Sequence, residues 1–469
     1  MQIKDTKKIC EEIWHLEDKY KLFDIQINGV KLWELIRLPV LNEITRQREI
    51  FGQAHTTKNS LSSKFKALPT FIYNSLTKNP FFSNREVDVI IFDHERKVRV
   101  DNKYIDIYTD PIIKKLSSDK YEVIEEDYLK KHWTSRKDSF RNYNDFYFFY
   151  TFKDRMLLRV KFTEEEIFKI TKLQKIINNH FSVNLDLFNQ SKKAIKEFKL
   201  KYRYHYNLLK IRKPKEIFLV VSYTRQGLVK AAKDLGILVN EIQHGIISPY
   251  HLGYNYPGSK NQEYFPDVLY LFGEYWKEAS NFPIKKDRLK VLGFPFLYNN
   301  IIKKKKLMEH KKQQILFISQ GTIGNKLSTI ALETAIAMSD YKIVYKLHPG
   351  EFERWKTTYP DLVRANKLEN FQVVDSNERD LHTYLAESKF QVGVYSTAIY
   401  EGLALKCNTI ILKIPGYYYM EELIKQGFVY LVEDSDGLMN VINNSGFSDI
   451  DLFNFFGSPN LELYEGLVE

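Results

Sequence analysis

Four short stretches carry residue types that can handle phosphates, hydroxyls and protons. SQGTIGN (319–325) puts Gly321, Thr322 and Gly324 between an apolar run and a helical pattern, where free backbone N–H groups and a hydroxyl can hold a phosphate at the positive end of a helix. In KLHPGE (346–351), His348 ends an apolar run and Pro349 sets the first turn of the next helix, so the imidazole can stabilise charge developing on a departing phosphate. VYSTAIYEG (394–402) offers Ser396 and Thr397 at a helix start, which suits capping and anion binding alike, with Glu401 one turn further on. EIQHGIISPYHLGYNYP (241–257) delivers Gln243 and His244 from a buried-looking run into a loop rich in histidine and tyrosine.

Hydrophobic periodicity gives the framework that carries these residues. Residues 1–80 are expected to be largely helical, with Val30, Trp33, Ile36 and Val40 at helical spacing and LSSKFKALPTF as a loop-rich connection. VDVIIF (87–92) is a continuous apolar run ending in Asp93-His94, the pattern of a buried parallel strand, and YEVI (121–124) is a second. Residues 126–213 are long, charged and helical in pattern, an insertion. Strand and helix patterns then alternate from 217 to 295 and again from 315 to 425. This alternation specifies an α/β protein of two Rossmann-like domains, 1–300 and 301–469, with parallel sheets and ligand loops at the carboxyl ends of the strands, facing a cleft. At those ends the first domain offers Asp93, His94, Asp106, Asp110, the SYTRQG loop with Arg225, and His244. A carboxylate or imidazole among them can deprotonate a hydroxyl.

Composition narrows the class. The 469 residues carry 70 Lys and Arg against 59 Asp and Glu, a net charge of +11, with 44% hydrophobic residues. That is a globular composition with room for two cores. No run is long and apolar enough for a spanning helix, the first residues lack an apolar signal core, and a cytoplasmic chain is expected. Cys10 and Cys407 are too few for a disulfide framework or a zinc site, and no metal or cofactor is expected. The lysine run at 301–312 suggests contact with an anionic membrane. Acids are well mixed with the bases and no RNA-binding motif is visible, so nucleic acid is not an expected partner.

QHG after a strand of the first half, then strand-HP-helix and ST-x3-EGL-AL in the second, resembles bacterial GT-B glycosyltransferases of capsule and surface-polysaccharide assembly over roughly 215–430. The pattern is similar to the groups containing bacterial sialyltransferases, capsular Kdo transferases and CDP-glycerol glycerophosphotransferases. The resemblance implies a metal-independent GT-B fold and donor-phosphate contacts from His348, Pro349, Ser396 and Thr397, with Glu401 on the donor ribose. It also implies His244 near the acceptor. The acidic Asp-Gly motif of many such sialyltransferases is absent.

The expectation is therefore a transferase moving a sugar from a nucleotide donor, with CMP-sugars or other cytidine nucleotides favoured, to a glycan or lipid-linked glycan. Gly321 and Thr322 join the donor set. Asp93 and His244 are candidate bases, and Gln243, Arg225, Tyr250, His251 and Tyr254 are candidate acceptor contacts, since tyrosine offers an apolar face and a polar tip. Two alternatives are a CDP-glycerol-type polyol-phosphate transferase and a UDP-sugar 2-epimerase.

Overall fold

The computed structural model describes residues 5–50, 61–100, 103–258, 262–447 and 455–460, except 115, 118, 129 and 136, and omits the side chains of 61–66. Residues 51–60, part of the stretch expected to be helical, lie outside the described residues. The chain forms two compact units. One comprises 10–44, 56–296 and 457–469, and the other 1–9, 45–55 and 297–456. Each holds one large parallel sheet.

In the N-terminal unit the strands are β1 (Val89–Phe92), β2 (Tyr121–Glu125), β3 (Arg141–Tyr143), β4 (Glu216–Val220), β5 (Leu238–Ile242), β6 (Val268–Leu271) and β7 (Leu289–Val291). Their spatial order is β7-β6-β5-β4-β1-β2-β3, and every pairing is parallel. Alternate residues of β1 serve opposite faces of the sheet. Ile90 and Phe92 pack with Leu208, Leu209 and Leu228, whereas Val89 and Ile91 pack with Ile112 and Phe218. Burial on both faces explains why these strands read as unbroken apolar runs.

In the C-terminal unit, β8 (Lys312–Ile318), β9 (Lys342–Lys346), β10 (Phe371–Val374), β11 (Ser388–Gly393), β12 (Asn408–Leu412) and β13 (Tyr430–Val432) take the order β10-β9-β8-β11-β12-β13, again all parallel. The strand order thus reverses direction beside the first strand of each sheet, between β1 and β4 and between β8 and β11. Loops leaving adjacent strands there turn to opposite faces and open a crevice, the place where doubly wound sheets bind ligands.

The expected α/β architecture with two parallel sheets is present, and three local expectations change. LSSKFKALPTF begins a helix, Leu61–Thr77, which contains Pro69. Its far half is held by tertiary contacts, with Phe71 and Asn74 buried and Asn74 Nδ2 donating to Asp145 at 2.7 Å. The stretch after 126 is not helical at first, because it contributes β3 to the sheet edge, and its helices run Phe146–Leu157, Glu164–Phe181 and Leu187–Arg212. The strand β13 adds an edge to the second sheet beyond the alternation read from the sequence. Cys10 and Cys407 are both buried and form no disulfide among the described residues, and no helix among the described residues is long and apolar enough to cross a membrane.

Candidate functional site

The C-terminal unit gathers the loops after β8, β9 and β11 at its switch point. His348 follows β9 and caps a short 3-10 turn, Pro349–Glu351. Its Nδ1 accepts the Gly350 N–H at 3.1 Å, so in the neutral ring the proton sits on Nε2 and that nitrogen is a donor. The side chain is exposed. What fixes it is Glu351, fully buried, whose Oε2 accepts the His348 N–H at 2.8 Å while Oε1 accepts Ser319 Oγ at 3.0 Å and Tyr359 Oη at 2.7 Å. Burial pushes the Glu351 carboxyl up, against the pull of those donors. The loop after β8 closes over this carboxylate. A Cβ at Gly324 would lie 2.6 Å from Glu351 Oε1, so that position requires glycine.

Two residues outside the sequence reading complete the crevice. Arg354 donates through Nε to Gly350 O at 3.1 Å and through Nη2 to Gly321 O at 3.3 Å, placing a permanent positive charge between the HPGE and QGT loops. Tyr395 joins the Thr322 hydroxyl at 2.9 Å, linking the β8 loop to the β11 loop across the point where the strand order reverses. Tyr395 has room because residue 416 is glycine. Gly416 sits at φ 106°, and a Cβ there would come 2.2 Å from the ring.

Ser396 accepts the Ala398 N–H at 3.2 Å as the cap of helix Thr397–Ala404, whose free amide ends favour an anion at Thr397. One turn on, Glu401 Oε2 lies 3.2 Å from Nε2 of the buried His382, so the carboxylate is held by a partner that sequence alone did not indicate. Gly321, Thr322, His348, Pro349, Ser396 and Thr397 thus fall on loops or helix starts at the carboxyl edge of one sheet, with Glu401 one turn into helix Thr397–Ala404.

The N-terminal unit presents Asp93 and His244 at its own carboxyl edge, in contrasting settings. Asp93 is fully buried and ion-paired with Lys97 at 2.8 Å and with Arg141. Burial raises its carboxyl against the pull of both cations. Arg141 Nη1 also donates to Glu125 Oε2 at 3.0 Å, so Asp93 belongs to a network of buried charges under the strand ends.

His244 is half-buried and neutral. Burial, helped by the nearby His251, His94 and Arg96, pushes its pKa down to about 3. The tautomer follows from a chain of donors. Glu241 Oε1 accepts the Ser222 N–H at 3.1 Å, so it is the acceptor of the Tyr254 hydroxyl at 2.7 Å. With its hydrogen committed, the Tyr254 oxygen can only accept from His244 Nδ1, 3.4 Å away. That leaves the lone pair on Nε2, which accepts from the Tyr223 hydroxyl at 3.4 Å. Glu241 and Tyr223 were not singled out in the sequence, because nothing local ties them to residue 244.

The other candidate acceptor contacts mostly build the loop itself. Gln243 is fully buried, donating to Gly245 O and accepting the Phe272 N–H, both at 2.8 Å. Arg225 is buried and donates to the carbonyls of Phe92 and Asp93 at 3.1 and 3.0 Å. Tyr250 is buried and stacks on Trp14 at 6.3 Å. His251 Nδ1 accepts the Gly253 N–H at 3.1 Å, and burial pushes its pKa down to about 4. Arg37 reaches in from helix Leu32–Gln47 to donate to Leu252 O and Asn255 O at 2.7 Å each, with its Nε on Glu17 at 2.6 Å and its guanidinium 4.5 Å from the Tyr256 ring centroid.

One buried contact near Asp93 has a measurable pH signature. Both ring nitrogens of His132 face carboxylates, Glu125 at 3.0 Å and Asp145 at 2.9 Å, so both must donate and the ring is an imidazolium. Burial alone would lower its pKa, but these partners outweigh it and raise it to about 9. The folded value lies above the unfolded one of about 6.5, so the contribution is fully present below pH 6.5 and is lost as pH rises to 9. His132→Gln is therefore expected to lower stability by roughly 3 kcal/mol more at pH 6 than at pH 9 in urea titrations. A gap independent of pH would show that the ring is neutral.

No protein-family model matches the chain, and no curated protein matches it. Solved structures do. UDP-GlcNAc 2-epimerase from Methanocaldococcus jannaschii aligns at 13% identity over 81% of this chain and 98% of that one, with a TM-score of 0.47. UDP-GlcNAc 2-epimerase from Neisseria meningitidis bound to UDP-GlcNAc aligns at 16% identity over 81% and 94%, with a TM-score of 0.44. The wall teichoic acid polymerase TagF aligns at 12% identity over 88% and 97%, with a TM-score of 0.42.

Proposed function

We propose that the protein is a transferase that moves a glycosyl or polyol-phosphate group from a nucleotide donor, a cytidine nucleotide in first place, to a hydroxyl of a surface-glycan acceptor. The observation that carries this is the anion cradle of the C-terminal unit. The Nε2–H of His348, the Arg354 guanidinium, the Thr322 hydroxyl and the Thr397 helix start all belong to loops around one switch point. Such donors stabilise negative charge on a leaving nucleotide phosphate as it develops. Glu401, held by His382, is assigned to the ribose hydroxyls.

Proton removal falls to His244 rather than Asp93. Asp93 is committed to two buried cations, whereas His244 is neutral with a lone pair on Nε2. Nε2 takes the proton of the acceptor hydroxyl as its oxygen bonds to the transferred carbon or phosphorus. The bond to the nucleotide phosphate breaks, and its electron pair leaves on that phosphate.

Thermal-shift titration with CMP, CDP, UDP, GDP and dTDP tests the reading. Binding to the folded state raises the melting temperature by mass action, and the largest rise is expected with CMP or CDP. No shift with any of the five would remove the reading. Conversion of a UDP-sugar to its epimer without an acceptor would replace it with an epimerase.

A further inference from the structure

The N-terminal unit contains a groove of about 700 Å³ whose lining includes none of the strand-end residues described above. It runs between helix Thr6–Tyr20 and helix Glu164–Phe181. Helix Glu164–Phe181 has two distinct faces. Ile170, Leu173, Ile177 and Phe181 are buried against the unit, whereas Phe168, Thr171, Lys172, Lys175, Ile176 and Asn179, again at helical spacing, line the groove. Leu16 and Ile176 form an apolar floor, and Phe168 stands 67% exposed beside it.

Lys19, Lys172 and Lys175 border this floor, and among the described residues none has a carboxylate within ion-pairing distance. The surface acids Asp18 and Glu12 of the same helix as Lys19 are taken by Lys21 at 2.9 Å and by His180 at 2.7 Å. Three uncompensated ammonium groups around an aliphatic and aromatic floor complement a ligand that is anionic at one end and hydrocarbon at the other. The volume is also in the range of small-ligand sites. Lysine on a flexible stem meets a phosphate as a mobile point charge, which suits a fluid headgroup layer better than a fixed nucleotide. The neighbouring Ile167, 41% exposed, adds a second apolar side chain beside Phe168.

We propose that this groove is a membrane-docking site that seats the phosphate headgroup of an anionic phospholipid, with Phe168 entering the acyl boundary. The proposal is independent of the transferase reading, because it concerns binding and is read without turnover. It also differs from the expectation drawn from the 301–312 lysines. In that run Lys304 is paired with Asp380 at 3.3 Å, and the segment lies in the other unit.

The test is co-sedimentation of the full chain with vesicles of phosphatidylglycerol in phosphatidylcholine, against phosphatidylcholine alone, at fixed salt. Binding to the anionic vesicles only is expected. The triple variant Lys19→Gln, Lys172→Gln, Lys175→Gln should weaken it on the order of 100-fold, since each lysine near an anionic surface contributes roughly 1 kcal/mol. Phe168→Ser should weaken it roughly 30-fold with charge unchanged. A control triple, Lys303→Gln, Lys305→Gln, Lys306→Gln, should change it less than about threefold, because those lysines do not line the groove. All these positions are on the surface, and unchanged melting temperatures certify folding. Absence of vesicle binding by the parent protein, retention by the first triple and by Phe168→Ser, or equal loss in the control triple each overturns the proposal. So does a concentration-dependent dimer that Phe168→Ser abolishes, which would make the groove a self-association surface.

Discussion

Transfer by a His244→Asn variant should fall on the order of a thousand-fold, with nucleotide binding unchanged. Positioned general bases contribute about 10²–10⁴ in rate, and His244 meets the structural conditions for one. Tyr254 holds its Nδ1–H, Glu241 fixes Tyr254, and Nε2 keeps the lone pair. Asparagine retains a donor toward Tyr254 and deletes the base, so a loss of rate without loss of stability isolates proton transfer. A pH profile sharpens the expectation. With a pKa of about 3 in the free protein, His244 is already deprotonated throughout pH 5–8, so kcat/KM should show no acid limb from this group in that window. Activity within about threefold of the parent in His244→Asn would remove the assignment.

The second large effect is expected at His348. His348→Ala should lower kcat by about 10²–10³, the range found when one donor to a developing oxyanion is deleted. Nucleotide affinity should fall less, because Arg354 and the Thr397 helix start remain. His348→Gln should recover part of the rate, since a glutamine amide can present an N–H near the position of Nε2. Retention of full turnover in His348→Ala, or equal loss in Ala and Gln variants, would show that the imidazole supplies no donated hydrogen bond to the reacting phosphate. Reading kcat separately from nucleotide binding distinguishes this from simple loss of ground-state affinity.

The sequence made the strand ends legible and left their partners hidden. β1, β4, β8 and β9 are apolar enough, through burial on both faces, to be read from single runs. The residues just after them, such as Asp93 and His348, were therefore placed correctly at carboxyl edges. Strand order is not local information, and the two reversals that create the crevices emerge only from the folded topology. Arg354, Tyr395 and Glu351 were missed for the same reason. Tyr395 meets Thr322 across 73 positions of chain, and Glu351 meets Ser319 across 32. Tyr250 and Tyr254 show the opposite difficulty, because a side chain with an apolar ring and a polar tip serves a ligand or a core equally well, and only the fold shows that both rings are buried. The helix from Leu61 was obscured by Pro69, and β3, three residues including an arginine, carries no recognisable strand signal.

Arg37 gives the N-terminal helices a role that their distance from the strands conceals. The sheet supplies the Gln243 amide and the start of the loop, but the carbonyls of Leu252 and Asn255 are gathered by a guanidinium from helix Leu32–Gln47, itself anchored on Glu17 of the helix before it. The smallest autonomous version of the His244 surroundings is therefore larger than the Rossmann-like core. A chain trimmed to begin at β1 would keep every pairing of the two large sheets and forfeit the scaffold that gives the 246–257 loop its shape, so the boundaries of the fold and of the working part do not coincide.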